Sequence, residues 1–199
     1  MRGSSINRIL LIVGLLLLGC KTDTPAPKTS EIVDTTGYEY ELDDRTFKDL
    51  NLSKNGLKIL MQVPEQTEGD RGQLEMRVER PQYNSWHIKY GADFEFYIMD
   101  YGLENELIEL KKKELKQNDF FLIDYEVDSD SVLVYNRKVN YRAEDLNAES
   151  DSKSSYHIYQ LKRIGGYNFI FKSPEQGVSK SQLKDLVHSF GTVQKPFVQ

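Results

Sequence analysis

The chain has 199 residues, 39% of them hydrophobic, with one cysteine and a formal charge of -5 at neutral pH. An acidic surface repels nucleic-acid phosphates and anionic head groups, so neither nucleic-acid binding nor electrostatic docking on a membrane is expected. A single thiol rules out a disulfide framework within the chain, which leaves packing to hold the fold together.

The N-terminus is organised as a targeting segment. Arg2 and Arg8 form a cationic head, Ile9 to Leu18 are apolar except for Gly14, and no acid precedes Asp23. That is the layout of a secretory signal. As a helix the apolar run covers ~15 Å, about half of a hydrocarbon core, and is too short to span it. Leu17-Leu18-Gly19 fits an A-x-A cleavage site poorly.

Together with Cys20, the run Leu17-Leu18-Gly19-Cys20 resembles the lipobox of bacterial lipoproteins. The resemblance implies cleavage between Gly19 and Cys20, with diacylglycerol attached to the Cys20 sulfur. Each buried CH₂ contributes ~0.8 kcal/mol and one chain alone binds marginally, so a multiply acylated Cys20 is a lasting anchor. Cleavage would remove two arginines and no acids, taking the formal charge from -5 to -7. Residues 1–19 are thus read as signal peptide and 20–36 as a lipid-anchored linker, extended by Pro25 and Pro27. Residues 37–199 are read as a single domain. Lys21, not aspartate, follows Cys20, which under the enterobacterial sorting rule favours the outer membrane of the cell envelope.

From Tyr38 onward apolar residues alternate with polar ones, the period of half-buried strands. Tyr38, Tyr40 and Leu42 open this pattern. Leu50 and Leu52, the turn dipeptide Asn55-Gly56, and Leu57, Ile59, Met61 and Val63 predict a hairpin. Leu74, Met76 and Val78 predict another strand. Trp86 to Ile98 then keep one parity, with Gly91 as a bend, a bulge or a break into two strands.

The period changes at Leu103, Leu107, Ile108, Leu110 and Leu115, which predict a helical stripe with acids early and lysines late. The lysines Lys111, Lys112 and Lys113 are read as part of its solvated face. Strands resume at Phe120 to Val127, turn at Asp128 to Ser131 and return through Val132 to Tyr135. Asn136 to Ser155 are polar and read as an exposed excursion. Tyr156 to Ile164, Gly165-Gly166 and Tyr167 to Lys172 predict a further hairpin. Ser179 and Gln182 have capping-box spacing ahead of a stripe of Leu183, Leu186, Val187 and Phe190, with Gly191 as the stop.

Antiparallel hairpins with one helix inserted and one at the C-terminus make an α+β layered domain. The order of elements resembles the PsbP-like fold, through L-E-N-E-L-I-E-L, Y-H-I-Y-Q-L-K-R-I-G-G-Y-N-F-I-F and L-K-D-L-V-H-S-F. That resemblance implies a scaffold for binding or assembly.

Chemistry-bearing motifs are sparse. His87, His157 and His188 are far apart in sequence and read as surface residues, not as metal ligands. Asp128-Ser129-Asp130 opens like a calcium loop, but Val132 stands where an oxygen ligand belongs, so a hairpin turn is expected. Glu144 to Asp151 read as a solvated acidic loop. Catalytic signatures such as G-x-S-x-G and H-E-x-x-H are missing, and no cofactor motif is found. Tyr38, Tyr90, Tyr97, Tyr101 and Tyr167 are expected at sheet edges with their hydroxyls in water, while a cluster on one face would signal a protein-binding surface. The expected function is non-enzymatic: a lipid-anchored module that binds a protein partner. The alternatives are a small envelope hydrolase, its site assembled by folding from His157, an aspartate and a serine, and a carrier of an apolar ligand.

Overall fold

The computed structural model describes residues 45–65, 76–91, 93–140 and 154–196. All of them fall in one compact unit, Ile32–Gln199. The readings made for the signal peptide, Cys20 and its linker, for Tyr38 to Leu42, for Leu74 and for Glu144 to Asp151 lie outside the described residues.

The architecture is α+β, with antiparallel sheets and two helices. The first hairpin is β1 (Phe47–Asn51) and β2 (Leu60–Pro64). Its strands pair from Phe47 with Pro64 to Asn51 with Leu60. The connection is a 3-10 turn at Ser53–Asn55, closed by Gly56 at φ 83°, a conformation that glycine adopts without strain. Strands β3 (Met76–Gln82), β4 (Ser85–Tyr90) and β5 (Phe94–Asp100) form a meander. Gly91, at φ 65°, divides the long aromatic run into two strands. The pairs Trp86/Ile98, Ile88/Phe96 and Tyr90/Phe94 lie opposite each other, which explains the common parity read from the sequence.

Helix α1 (Leu107–Gln117) follows, then β6 (Phe121–Asp128), β7 (Val132–Val139), β8 (Ser155–Ile164), β9 (Tyr167–Lys172) and helix α2 (Lys180–Gly191). The larger sheet has seven strands in the order β3-β4-β5-β9-β8-β7-β6, with every neighbouring pair antiparallel. One face packs against α2 and the β1–β2 hairpin. Its core includes Ile88, Phe96 and Ile98 from the meander, Val134, Ile158 and Phe171 from the centre, Met61 from the hairpin and Leu183, Leu186 and Phe190 from α2. The other face carries α1, with Leu107, Ile108 and Leu115 packed on Leu133, Tyr135, Tyr159 and Ile170.

Helix α2 follows the sequence rules closely. Ser179 Oγ accepts from the Gln182 N–H while the Gln182 side chain accepts from the Ser179 N–H, a reciprocal capping box. Gly191, expected as the stop, is the last helical residue, and Thr192 is the C-cap. Helix α1 departs further from expectation. It starts at Leu107, because Glu106 before it takes a left-handed φ of 60°. Leu103 is therefore left in the preceding loop and exposed. Leu110 is exposed too, because it lies about 120° round the helix from the centre of the buried stripe at 100° per residue. The stems of Lys111 and Lys112 fill that inner face instead.

The polar excursion expected from Asn136 begins later, since β7 continues to Val139. Those residues pair with β6 on one side and, through Arg137, with β8 on the other. Arg137 also stacks on the Phe121 ring at 4.3 Å and donates to the Glu175 carbonyl at 2.6 Å. A strand end held this way needs no apolar alternation.

Phe190 joins the layers, with its ring 5.4 Å from Phe96 and 5.5 Å from Phe171. Phe190→Ala should lower unfolding free energy by about 3–5 kcal/mol, and Ser179→Ala by about 1 kcal/mol. Urea titration of both variants checks this, and equal midpoint shifts would contradict the packing described.

Candidate functional site

The first group of polar side chains lies on the α1 side of the sheet. Register places Glu79, His87, Tyr97, Lys172 and Tyr159 in one row across β3, β4, β5, β9 and β8. His87 stacks on Tyr97 at 4.0 Å and 16°. Its Nε2 lies 3.1 Å from Glu95 Oε2, and its Nδ1 lies 3.8 Å from Glu79 Oε2. Lys89 pairs with Glu79 at 3.5 Å, and Gln176 donates to Glu95 at 2.9 Å. Burial raises the Tyr97 pKa, and the carboxylates of Glu95, Glu175 and Glu79 raise it further. The two acids engage opposite nitrogens of the ring, so they do not converge on one point. Among the described residues no group of three His, Cys, Asp or Glu is arranged to hold a metal ion.

The second group is a serine and a histidine that the strand period puts on one face. Ser155 Oγ and His157 Nε2 are 2.9 Å apart on β8, within reach for a nucleophile and its base. Three features make this a packed hydrogen bond and not an activated serine. The Tyr135 ring stacks on the imidazole at 5.0 Å and 10°. Among the described residues no carboxylate lies within salt-bridge range of His157 to orient it. Finally, Gly177 closes over the pair: a Cβ there would lie 2.6 Å from Ser155 Cβ and 2.7 Å from His157 Nε2. No space remains for a substrate.

Burial pushes the His157 pKa down to about 4, with the Arg137 charge adding to the effect and Glu175 opposing it. Burial also acts to raise the Glu175 pKa, but its 2.6 Å bond to Lys172 prevails and holds the carboxyl below its ordinary value.

The remaining sequence readings are placed as follows. His87 and His157, expected at the surface, are buried, because Tyr97 covers one and the turn at Gly177 the other. His188 is partly buried against Phe47, its Nε2 3.2 Å from Gln62 Oε1, and burial lowers its pKa. Tyr90, expected at an edge, is in the core. Lys112 bridges Asp128 at 2.7 Å and Glu109 at 3.0 Å, and Lys111 pairs with Glu114 at 2.7 Å. The lysine run is therefore largely neutralised in place. Asp128 to Ser131 form the β6–β7 turn, where Ser129 Oγ accepts from the Val132 N–H. Gly165 and Gly166, at φ 61° and 91°, form the β8–β9 turn.

A third group consists of large exposed side chains, with little sign of it in the residue pattern. Tyr83 is 91% exposed, Leu103 72% and Tyr167 54%. Tyr83 lies in the β3–β4 turn, Leu103 in the β5–α1 loop and Tyr167 at the start of β9, all at one end of the sheet, and backbone bonds tie these segments together. Asp100 N–H donates to Asn84 O at 2.8 Å, Tyr101 N–H to Asn168 O at 2.9 Å, and Asn168 N–H to Gly102 O at 2.7 Å. Asn168 Nδ2 adds a bond to Glu104 O at 2.6 Å. Arg80 lies over the Tyr83 ring at 5.4 Å. Nothing in the spacing of these residues forecasts that they share one end; the sheet order does that. Leu103 in particular was assigned to the buried stripe of α1.

Comparison with family models, with curated proteins and with solved structures finds no match. Among the described residues no helix is long and apolar enough to cross a membrane.

The low His157 pKa has a direction for stability. The unfolded histidine binds a proton near its usual 6.5 and the folded one near 4, so this contribution is complete above about pH 6.5 and is lost as pH falls towards 4. Replacing His157 with asparagine should remove on the order of 3 kcal/mol of acid sensitivity between those limits. Denaturant unfolding at several pH values measures it, and identical slopes for both proteins would contradict the burial argument. Gly177→Ala should cost about 2–3 kcal/mol, through strain at φ 78° and the close contacts described.

Proposed function

We propose that this chain is a lipid-anchored protein of the bacterial cell envelope, held at the outer membrane through Cys20 and built on a PsbP-like arrangement of sheet and helices. Its domain acts as a non-enzymatic module that binds or helps assemble a protein partner at the membrane surface.

The observation that carries the reading is the group of Tyr83, Leu103 and Tyr167. Large amphipathic side chains set in water on segments fixed by hydrogen bonds are what a recognition surface supplies, since aromatic residues bring contact area at low entropic cost. The chemistry elsewhere supports the same reading. The His87 and His157 groups are already engaged with neighbours, and Lys111 and Lys112 of α1 are paired. For the anchor, support comes from Leu17-Leu18-Gly19-Cys20 behind an apolar run.

Two measurements test the two halves. Cys20→Ser should abolish metabolic labelling with palmitate and release the protein from membranes, and unchanged labelling overturns the anchor. Photo-cross-linking amino acids placed in cells at Tyr83, Leu103 or Tyr167 should all trap the same partner, while one at exposed Lys113 should not. No adduct from the three positions, or equal adducts from Lys113, overturns the recognition surface.

A further inference from the structure

We infer that the free edge of β6 accepts an extended, cationic and apolar segment of another protein as an eighth strand of the sheet. The inference rests on the binding-module reading and names the chemistry of a partner.

Among the described residues β6 pairs with β7 alone. The ladder has a known phase, because Asn140 N–H donates to Phe120 O at 2.8 Å. In an antiparallel pair the bonding direction alternates, so Phe121, Ile123 and Tyr125 turn their N–H and C=O groups away from β7; the Phe121 N–H donates to Asn118 O at 3.5 Å, which leaves Ile123 and Tyr125 to offer outward N–H groups. A row of this kind is a template for another strand unless it is blocked. The opposite edge of the sheet is blocked. Strand β3 contains Pro81, which has no N–H to offer, and its register with β4 shifts between Glu79 and Gln82. In β6 the irregularity is confined to the far half, between Tyr125 and Val127. The near half reads F-F-L-I with no proline or charge. There Phe120 is 62% exposed and Leu122 56% exposed, so an added strand would bury apolar area as well as satisfy the backbone.

Charge selects the occupant. From Asn118 to Ser131 there are five carboxylates, Asp119, Asp124, Glu126, Asp128 and Asp130, and no lysine or arginine. The nearest strand cations are Arg137 and Lys138 on β7, and Arg137 is already held by Phe121 and the Glu175 carbonyl. Asp128 is taken by Lys112. A second copy of β6 would set this acidic strand against its own like, which cross-strand pairing disfavours. A strand that alternates apolar residues with lysine or arginine can lay its cations along the face of Leu122 and Asp124, stems against the leucine and charge against the carboxylate, and its apolar residues along the face of Ile123 and Tyr125.

The probe is an acetylated, amidated peptide alternating valine with lysine, titrated into the full mature protein and followed by NMR. Amide signals of Ile123 and Tyr125 should shift and exchange more slowly with solvent, while a valine–glutamate peptide should leave them unchanged. Asp124→Lys, an exposed change, should weaken binding about fivefold. Ile123→Pro removes an outward N–H and should abolish binding, whereas Ile123→Ala, which keeps that N–H, should retain it. Thermal unfolding confirms that each variant is folded. Absence of binding, equal binding of the acidic peptide, or shifts that survive Ile123→Pro would overturn strand acceptance. Partner adducts at Tyr83, Leu103 and Tyr167 that persist after such a failure would leave the module reading in place, and loss of both would end it.

Discussion

Strands β7, β8 and β9 have to satisfy two apolar layers at once, and the rest of the molecule is arranged around that demand. Val134, Ile158 and Phe171 turn to α2, while Leu133, Tyr135, Tyr159 and Ile170 turn to α1. A strand buried on both faces loses the polar half of its alternation. Gln160, fully buried on β8 opposite Val132 and Phe171, shows how little of the centre is left to water. The two helices differ in what they contribute. Helix α2 supplies aliphatic and aromatic side chains with a complete cap, while α1 adds to its three buried aliphatic residues a lysine laid across a tyrosine ring, with Lys111 5.7 Å from Tyr159. One face is therefore sealed by hydrophobic burial. The other is finished by amphipathic contacts and ion pairs, whose contribution at a wet surface is small.

How much of this could be read from the residues depends on whether a feature is local. The β1–β2 hairpin, the C-terminal hairpin and α2 are set by turn glycines, alternation and a capping box, all within a few residues of each other. The start of α1 is not: Glu106 in a left-handed conformation has no sequence signature, and Leu103 fits the helical spacing while standing outside the helix. The last turn of β7 escaped notice because its polar residues are held by groups distant in sequence, Arg137 by Phe121 and Glu175. For the histidines, alternation told which face each occupied but not what covers it. His87 is buried by Tyr97 and His157 by a glycine turn twenty residues away, and both are facts of the sheet order. Likewise the Tyr83, Leu103 and Tyr167 end appears only once three segments are brought together.

Among the described residues, three groups of polar side chains are engaged within the fold. Ser155 and His157 hydrogen-bond under a backbone that touches them both, the carboxylates around His87 are shared with Lys89 and Gln176, and Lys172 closes on Glu175. A group whose valences are met inside the molecule has little left with which to activate a substrate, since catalysis requires donors and acceptors aimed at reacting atoms and not yet satisfied. Exposed among the described residues are also large side chains at one end of the sheet, and backbone groups at one sheet edge. Both suit the recognition role proposed above.

A tether changes how strong such recognition has to be. Backbone pairing along a few residues, with some apolar burial and cross-strand charge contacts, gives modest affinity in free solution, because association entropy takes most of the gain. Anchoring the domain by Cys20 within a linker's reach of the membrane would hold it near other envelope proteins at effective concentrations that short flexible links raise to about millimolar. Weak contacts at a strand edge and at a loop end then suffice together, each alone being readily reversed. An acidic body also fits this arrangement. Repelled by anionic lipid head groups, it would stay off the surface to which the proposed anchor ties it, leaving its recognition surfaces open to a partner.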